Sequence, residues 1–106
     1  MPIISSKEIS WKPGYFQNSE FKMLWEDTET KTKAFIVKFS PGGFIPLHDH
    51  PGREFAYVLE GEMVVGEKTL KQGDFLTAGE GELHEVKTEN GVTFLIIIND
   101  MIKIIE

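Results

Sequence analysis

Apolar and polar residues alternate with a period of two over much of this chain. Two early segments carry apolar residues at every second position, namely Phe21, Met23 and Trp25, then Phe35, Val37 and Phe39. Because alternate side chains of a strand point to opposite faces, each segment is predicted to be a β-strand with one buried face. Similar patterns predict further strands at Glu54–Glu60, Glu62–Val65, Lys68–Lys71, Asp74–Ala78, His84–Thr88, Val92–Asn99 and Ile102–Ile105.

Turn residues separate these segments. Gly66-Glu67 suits a two-residue hairpin of type II′, because glycine accepts the positive φ of the first turn position. Asn90-Gly91 is typical of a hairpin and predicts that the strands on either side of it pair. No segment of ten or more residues shows a helical apolar stripe. The sequence therefore predicts an all-β sandwich or closed barrel, formed as a single domain over residues 1–106.

The segment Thr93–Ile98 departs from the alternation, because it is apolar at both odd and even positions. A strand of this kind has both of its faces covered. A small core gains stability from association, so we expect a second subunit to supply one cover and the protein to be a homodimer. The alternative is a central strand that lies between two layers of the same chain.

Composition excludes several classes of partner. The net charge of −6 argues against binding to nucleic acid or to an anionic membrane surface. There are no cysteines, which excludes disulfides, thiolate metal sites and cysteine nucleophiles. The first eight residues lack a basic region followed by a long apolar run, so we expect no signal peptide. These features favour a cytoplasmic protein.

The chain's three histidines fall in one region together with a carboxylate. His48 and His50 are two residues apart, so on a strand they project to the same face. Glu54 begins the next predicted strand, and His84 begins another after a glycine-rich turn. Three neutral imidazoles and one carboxylate suit a divalent transition metal and leave one or two coordination positions open. Taken singly, each residue has an ordinary alternative, such as a surface histidine or a Glu54–Arg53 ion pair.

The spacing of these residues resembles the two motifs of the cupin family. The first motif is Gly42, five residues, His48, one residue, His50, three residues, Glu54, six residues, Gly61. The second is Gly73, five residues, Gly79-Glu80-Gly81, two residues, His84. Gly79 stands where the family usually has proline, and Thr88 stands where it often has asparagine. The resemblance implies a small β-barrel of the double-stranded β-helix, or jelly-roll, type, with the metal inside one mouth. It also implies that the metal ligands are His48, His50, Glu54 and His84.

The resemblance further implies one divalent transition metal per chain, which can be Fe, Mn, Ni, Co, Cu or Zn. The His-x-His-Pro-Gly-x-Glu segment is similar to small cupins related to dioxygenases and to anti-sigma-factor sensor domains. A metal-dependent, dioxygenase-like enzyme acting on a small organic molecule is the first hypothesis, and a metal-dependent isomerase or epimerase is the second. The alternatives are a non-catalytic module that senses a ligand or metal, and a dimer that the metal merely stabilises. The sequence leaves open whether the protein is an enzyme.

Strand alternation also indicates what surrounds the metal. Ala56 shares the face of Glu54, and its small side chain would leave room for a ligand. The same parity excludes Tyr57 from the pocket and favours a solvated Arg53 over one that holds a substrate carboxylate. Glu82 precedes His84 and is either a base at the mouth or, as we expect, a solvated loop carboxylate.

Overall fold

The computed structural model describes residues 1–105, and Glu106, the last residue of the predicted domain, lies outside the described residues. Its one short 3-10 helix is Ser6–Glu8. The strands are β1 Lys12–Pro13, β2 Ser19–Asp27, β3 Thr32–Phe39, β4 Phe44–Asp49, β5 Glu54–Val65, β6 Lys68–Lys71, β7 Phe75–Ala78, β8 His84–Lys87, β9 Val92–Ile98 and β10 Lys103–Ile104. The all-β prediction is confirmed. Over the described range, no helix has the length and apolar character that crossing a membrane requires.

The strands form an antiparallel sheet that curls into a half-barrel. The hydrogen-bonded order is β1-β2-β3-β9-β5-β8-β4-β10, with β6 and β7 also paired to β5. Strand β5 belongs to both halves, because its first part pairs with β9 and β7 and its last part pairs with β6 and β8. We call the half that contains β2, β3, β9 and β7 the first sheet, and the half that contains β4, β8, β6 and β10 the second sheet.

The core lies inside this curl. Strand β9 shows the burial most regularly, because Phe94, Ile96 and Ile98 are buried whereas the alternate residues Leu95 and Ile97 are only partly buried. Its neighbours are β3 and β5, so β9 is a central strand of the first sheet. The apolar inner residues of β9 thus pack into the core of the same chain. The predicted homodimer, which would cover the outer residues, stays a prediction.

The segment predicted as two strands, Glu54–Glu60 and Glu62–Val65, is a single strand of 12 residues. A bulge between Val58 and Glu60 and a φ of +78° at Gly61 bend the strand instead of ending it. The bend lets one strand pass from the first sheet into the second. The sequence analysis interpreted Gly61 as the gap between two strands, whereas in the structure it is the position at which one strand bends.

The predicted hairpin at Asn90-Gly91 is wrong. Strands β8 and β9 are not hydrogen-bonded neighbours, and the turn carries the chain from the second sheet to the first. One local and one long-range contact anchor it, since the Gly91 amide donates to Thr88 Oγ1 at 3.0 Å and its carbonyl accepts from the Glu62 amide at 3.4 Å. The Gly66-Glu67 hairpin is confirmed, with Val65 paired to Lys68 on either side of it. Only Gly66 of that turn has positive φ, as type II′ requires.

The shared face predicted for Phe21, Met23 and Trp25 is also wrong in part. The β2–β3 register shifts between Met23 and Trp25. Phe21 and Met23 line the interior of the curl, whereas Trp25 pairs with Ala34 and is 42% exposed. A β-bulge reverses the parity of every residue after it, and strict alternation cannot reveal where one occurs.

Gly61 and Gly66 provide a matched test of the β5 corner. Both have positive φ, but a Cβ on Gly61 would lie 2.4 Å from the Gly91 carbonyl oxygen, whereas a Cβ on Gly66 meets nothing within 4 Å. We expect Gly66→Ala to cost about 1–2 kcal/mol from its backbone conformation alone, and Gly61→Ala to cost clearly more. Urea unfolding of both variants measures the difference, and equal losses would contradict the close contact of Gly61 and Gly91.

Candidate metal centre

His48 reaches the interior because β4 is irregular. Ile45 and His48 are three residues apart, and regular alternation would turn them to opposite faces. The β4–β8 register shifts between them, and both are buried. Pro46 lies within this irregular stretch, where a residue without an amide hydrogen is tolerated. The bulge therefore aims His48 inward.

The other three candidate ligands lie where strands begin or end. His50 follows the last residue of β4, Glu54 is the first residue of β5, and His84 is the first residue of β8 and pairs with His48. His48 and His50 are each 1% exposed and Glu54 is 6% exposed. The topology thus gathers side chains that are far apart in sequence at one end of the curl.

The four side chains form a compact cluster. The ring centroids of the three imidazoles are 4.6–4.8 Å apart. Oε2 of Glu54 lies 2.9 Å from Nε2 of His50 and 4.0 Å from Nε2 of His84. One ligand atom from each of the four residues lies within 4.8 Å of the others.

This arrangement is compatible with a metal ion. Among residues 1–105, Nδ1 and Nε2 of His50 and Oε2 of Glu54 are buried without a hydrogen-bond partner, so the 2.9 Å contact between Nε2 of His50 and Oε2 of Glu54 lacks hydrogen-bond geometry. Buried polar atoms are rarely left unpaired. A metal at about 2.0–2.2 Å from each ligand atom holds opposite ligands about 4 Å apart, which is close to the observed spread. The donor set of three nitrogens and one oxygen suits a divalent transition metal.

Backbone contacts orient the ligands. Nδ1 of His48 lies 2.8 Å from the Pro46 carbonyl oxygen, which can only accept, so Nδ1 carries the proton and Nε2 keeps its lone pair. Oδ1 of Asp49 accepts from the amides of His50 and Gly81, both at 2.8 Å. Asp49 therefore ties the loop after β4 to the loop before β8. The sequence analysis missed it, although its place between two histidines was a signal.

The ionisation of the histidines favours ligand binding. Burial, with the neighbouring His48 and His50, lowers the pKa of His84 to about 4. Burial also lowers the pKa of His48. Burial by itself lowers the pKa of His50, but the carboxylate of Glu54 outweighs it and the net shift is upward. His48 and His84 are therefore neutral at pH 7, which is the form that binds a metal.

The cluster opens into a cavity of about 360 Å³, lined by His48, Glu54 and His84. Apolar side chains form most of the remaining wall, among them Phe35, Val37, Ala56, Met63, Phe94 and Ile96. The predicted place of Ala56 beside the metal site is confirmed. Apart from Glu54, the charged residues of the lining are Glu20 and Lys33, and Nζ of Lys33 lies 3.3 Å from Glu26. The cavity therefore has an apolar body and a polar end.

The remaining candidates lie outside the cavity. Arg53 is exposed and donates to Thr77 Oγ1 at 3.0 Å. Its guanidinium packs over Gly79, where a Cβ would lie 2.8 Å from Nη2. Cupins usually have proline at this position, and here the glycine makes room for Arg53. Oε1 of Glu82 accepts from the Gly79 amide at 2.8 Å and so belongs to the loop, and Tyr57 is exposed as predicted.

Comparison with known families agrees with the fold and the cluster. The model of the ChrR cupin-like domain matches residues 1–101. The chain belongs to the ChrR cupin-like domain family. The sequence prediction of a cupin is thereby confirmed.

Relatives of this ChrR cupin-like domain have varied names. An acetylacetone dioxygenase from Acinetobacter johnsonii is 18% identical with a TM-score of 0.83, over 100% of this chain and 77% of that one. The polyketide cyclase RemF from Streptomyces resistomycificus is 19% identical with a TM-score of 0.84, over 100% and 86%. At these identities the likeness shows the fold alone.

A curated relative, the auxin-binding protein ABP19a from Prunus persica, is 41% identical over 58 residues. The match covers 45% of this chain and 28% of the peach protein, so the chain spans less than a third of that relative's length.

The lowered pKa of His84 predicts that the metal-free protein loses stability in acid. The unfolded chain takes up this proton near pH 6.5, but the folded chain does so only near pH 4. Stability present above pH 6.5 is therefore lost as the pH falls to 4, by on the order of 2–3 kcal/mol from His84. His48 adds to this loss, and His50 offsets part of it.

Urea unfolding of the metal-free protein between pH 7 and pH 4 measures this loss. His84→Asn should flatten the slope, because it removes the titrating group. An unfolding free energy independent of pH over this range would contradict the assigned burial of the imidazoles.

Proposed function

We propose that this ChrR cupin-like domain binds one divalent transition metal per chain and catalyses a dioxygenase-like reaction on a small, uncharged organic molecule. The proposed ligands are His48, His50, Glu54 and His84. The observation that carries the proposal is the junction of a four-residue donor cluster with an otherwise apolar cavity. An enzyme of this kind needs both an open coordination position and room for the substrate beside it.

The donor set defines the chemistry of the centre. When bound, a redox-active metal such as iron supplies Lewis acidity and the electron transfer that dioxygen chemistry needs. Glu54 contributes a single negative charge and the imidazoles of His48 and His84 contribute none, so a divalent ion here keeps a net positive charge. The site therefore favours a neutral substrate that loses a proton when it binds and then offers an anionic oxygen, as a diketone does as its enolate and a phenol as its phenolate.

The cavity wall selects the rest of the substrate. A volume of about 360 Å³ lies at the small end of the usual range for ligand pockets, about 300–1,000 Å³. Burying a second charge against walls such as Phe35, Met63 and Phe94 would be costly, because these side chains offer no counter-charge. Lys33, the cation of the described lining, is already paired with Glu26 at 3.3 Å. Arg53, the chain's sole arginine, lies outside the cavity and holds no substrate carboxylate. These features support a diketone or phenol and argue against sugar acids and dicarboxylates.

One comparison supports this class of substrate. The structural neighbour from Acinetobacter johnsonii is named for acetylacetone, a small diketone that forms an enolate. We propose a related substrate, and we propose that the reaction takes place in the cytoplasm, where a chain without cysteines needs no oxidative folding.

A non-catalytic binding module is the second candidate. It is favoured by the scarcity of proton-transfer groups in the cavity, where Glu20 and Lys33 are the charged lining residues besides Glu54. Glu26 lies 3.3 Å from Nζ of Lys33 and partly neutralises its positive charge, so Lys33 is poorly suited to proton transfer. The same scarcity disfavours an isomerase or epimerase, which needs a positioned acid or base.

The ligand assignment is tested with paired variants. His50→Ala and Glu54→Gln should each reduce bound metal well below one equivalent, because each removes a donor from the cluster. Glu82→Gln is the matched control, since this carboxylate bonds the Gly79 amide and should keep its metal. Elemental analysis after anaerobic reconstitution with Fe(II) measures the content. Full metal retention in His50→Ala would overturn the assignment.

The substrate class is tested by oxygen uptake. We expect the iron-loaded protein to consume dioxygen with neutral diketones and not with dicarboxylates of similar size. Ala56→Leu should reduce uptake at least tenfold without reducing bound iron, because Ala56 lines the cavity and is not a ligand. Ligand-induced stabilisation without oxygen uptake would favour the binding module. If neither occurs, the proposed substrate class is wrong.

A further inference from the structure

A row of charged residues crosses the inner face of the first sheet at the level of the metal cluster. Cross-strand register aligns Glu26 on β2, Lys33 on β3, Ile98 on β9 and Glu54 on β5. Lys33 lies on the same side of β3 as Phe35, and both residues line the cavity. Neighbouring strands are about 4.8 Å apart, so the backbones of Lys33 and Glu54 lie roughly 10 Å apart. Lys33 therefore stands at the polar end of the cavity, two strands away from the carboxylate ligand.

The next inner rows of this sheet are apolar, which makes the place of Lys33 unusual. These rows are Met23-Phe35-Ile96-Ala56-Leu76 and Phe21-Val37-Phe94-Val58. The Lys33 side chain is 23% exposed, and lysine is rarely removed from water unless it has a partner. A surface ion pair that merely stabilises the fold contributes little and has no need of a cavity wall. The position of Lys33 is better explained by contact with what the cavity binds.

The contact between Lys33 and Glu26 limits what this ammonium can recognise. Nζ of Lys33 lies 3.3 Å from Oε2 of Glu26, whose side chain is 43% exposed. The carboxylate compensates the positive charge, but one oxygen engages only part of an ammonium that has three N–H donors. Lys33 thus offers hydrogen-bond donors to the cavity with little net charge. An uncharged oxygen gains a hydrogen bond there, whereas an anion loses its water for a cation that is already paired.

We propose that Lys33 determines substrate specificity by donating a hydrogen bond to an uncharged oxygen at the end of the substrate remote from the metal centre. Glu26 compensates the charge of Lys33 and so disfavours a carboxylate at the same place. The proposal rests on the proposed function, because it takes another substrate oxygen to be held at the metal centre. It narrows the substrate class to a small phenol or diketone that carries a further carbonyl or ether oxygen.

Three probes of similar size separate hydrogen bonding from charge. The probe para-hydroxyacetophenone has an uncharged carbonyl oxygen, para-isopropylphenol has an alkyl group in its place, and para-hydroxybenzoate has a carboxylate. Calorimetric titration into the zinc-loaded protein measures binding without turnover, because zinc does not change its oxidation state. Lys33→Met should weaken the binding of para-hydroxyacetophenone about tenfold or more and leave that of para-isopropylphenol within about twofold. Each probe is compared between native and variant protein, so the unequal acidity of the phenols cancels.

Lys38→Met is the matched control. Lys38 also lies on β3 but on the outer face, where its ammonium is 5.6 Å from the centre of the Trp11 ring. The same substitution there removes a lysine without altering the wall beside the metal cluster. Lys38→Met should therefore bind all three probes as the native protein does.

Glu26→Gln tests the compensation of charge. Without this carboxylate the ammonium of Lys33 has no counter-charge beside it, so para-hydroxybenzoate should bind about tenfold more tightly or better. Adding Lys33→Met to Glu26→Gln should abolish this gain, because the cation that holds the carboxylate is then absent.

Equal effects of Lys33→Met on the two neutral probes would overturn the proposal, and so would a Glu26→Gln variant that binds para-hydroxybenzoate no better than the native protein. If the native protein holds zinc but binds none of the probes, the proposed substrate class is wrong and this proposal falls with it. Zinc content is measured on the same samples, so a failure of the metal site is seen separately. Far-UV circular dichroism checks each fold, and Lys33→Ala replaces Lys33→Met if that variant does not fold.

Discussion

The constraint on which this structure depends is the burial of one carboxylate. Glu54 is buried at the first position of β5, and the groups within reach of its Oε2 are imidazoles that carry no permanent charge. An ion in such a place is stable only when a counter-charge or hydrogen bonds compensate the loss of water. In the metal-free protein the attraction between this carboxylate and His50 is the available compensation, and it raises the pKa of that histidine. A divalent cation would satisfy the carboxylate and the unpaired nitrogens together.

The scaffold meets this constraint through strand ends and irregularities more than through regular pairing. The β4 bulge turns His48 inward, Asp49 joins the two ligand loops, and the Gly61 corner lets β5 serve both sheets. The regular parts of the strands provide the apolar cavity wall. A small number of backbone contacts therefore fixes the positions of the four candidate ligands. Hydrogen bonds from neighbouring groups orient metal ligands in other proteins in the same way.

The alternation of apolar and polar residues and the spacing of the motifs predicted those features of the fold that depend on residues close together in sequence. Alternation located the buried face of β3 and the inner residues of β9, and the motif spacing brought together the four residues that the structure clusters. Alternation could not predict the bulges, because a bulge depends on how a strand pairs with its neighbour and does not change the hydrophobic pattern of the strand itself. Trp25 was placed on the wrong face for this reason. His48 was placed on the inner face only because its relation to His50, and not to Ile45, was used.

The Asn90-Gly91 turn and the Arg53–Gly79 contact show a second limit. The dipeptide predicts a chain reversal, but the contacts of Gly91 with Thr88 and Glu62 determine which strands the reversal joins. Likewise, the sequence showed only that Gly79 stands where cupins usually have proline. In the structure a guanidinium occupies the space that a side chain would take. Both outcomes depend on residues far away in sequence.

The pairing of β4 with β8 also carries an entropic cost. The chain between His48 and His84 forms β5, its hairpin with β6 and the pairing of β7 with β5, so the contact of the two histidines closes a long loop. Such long-range pairings are the slow steps of β-protein folding, because closing the intervening loop must precede the contact. The complete donor set therefore depends on a pairing whose loop-closure cost must be met before the ligands come together. A bound metal would offset part of that cost, because it would bind the chain only when the four ligands are together.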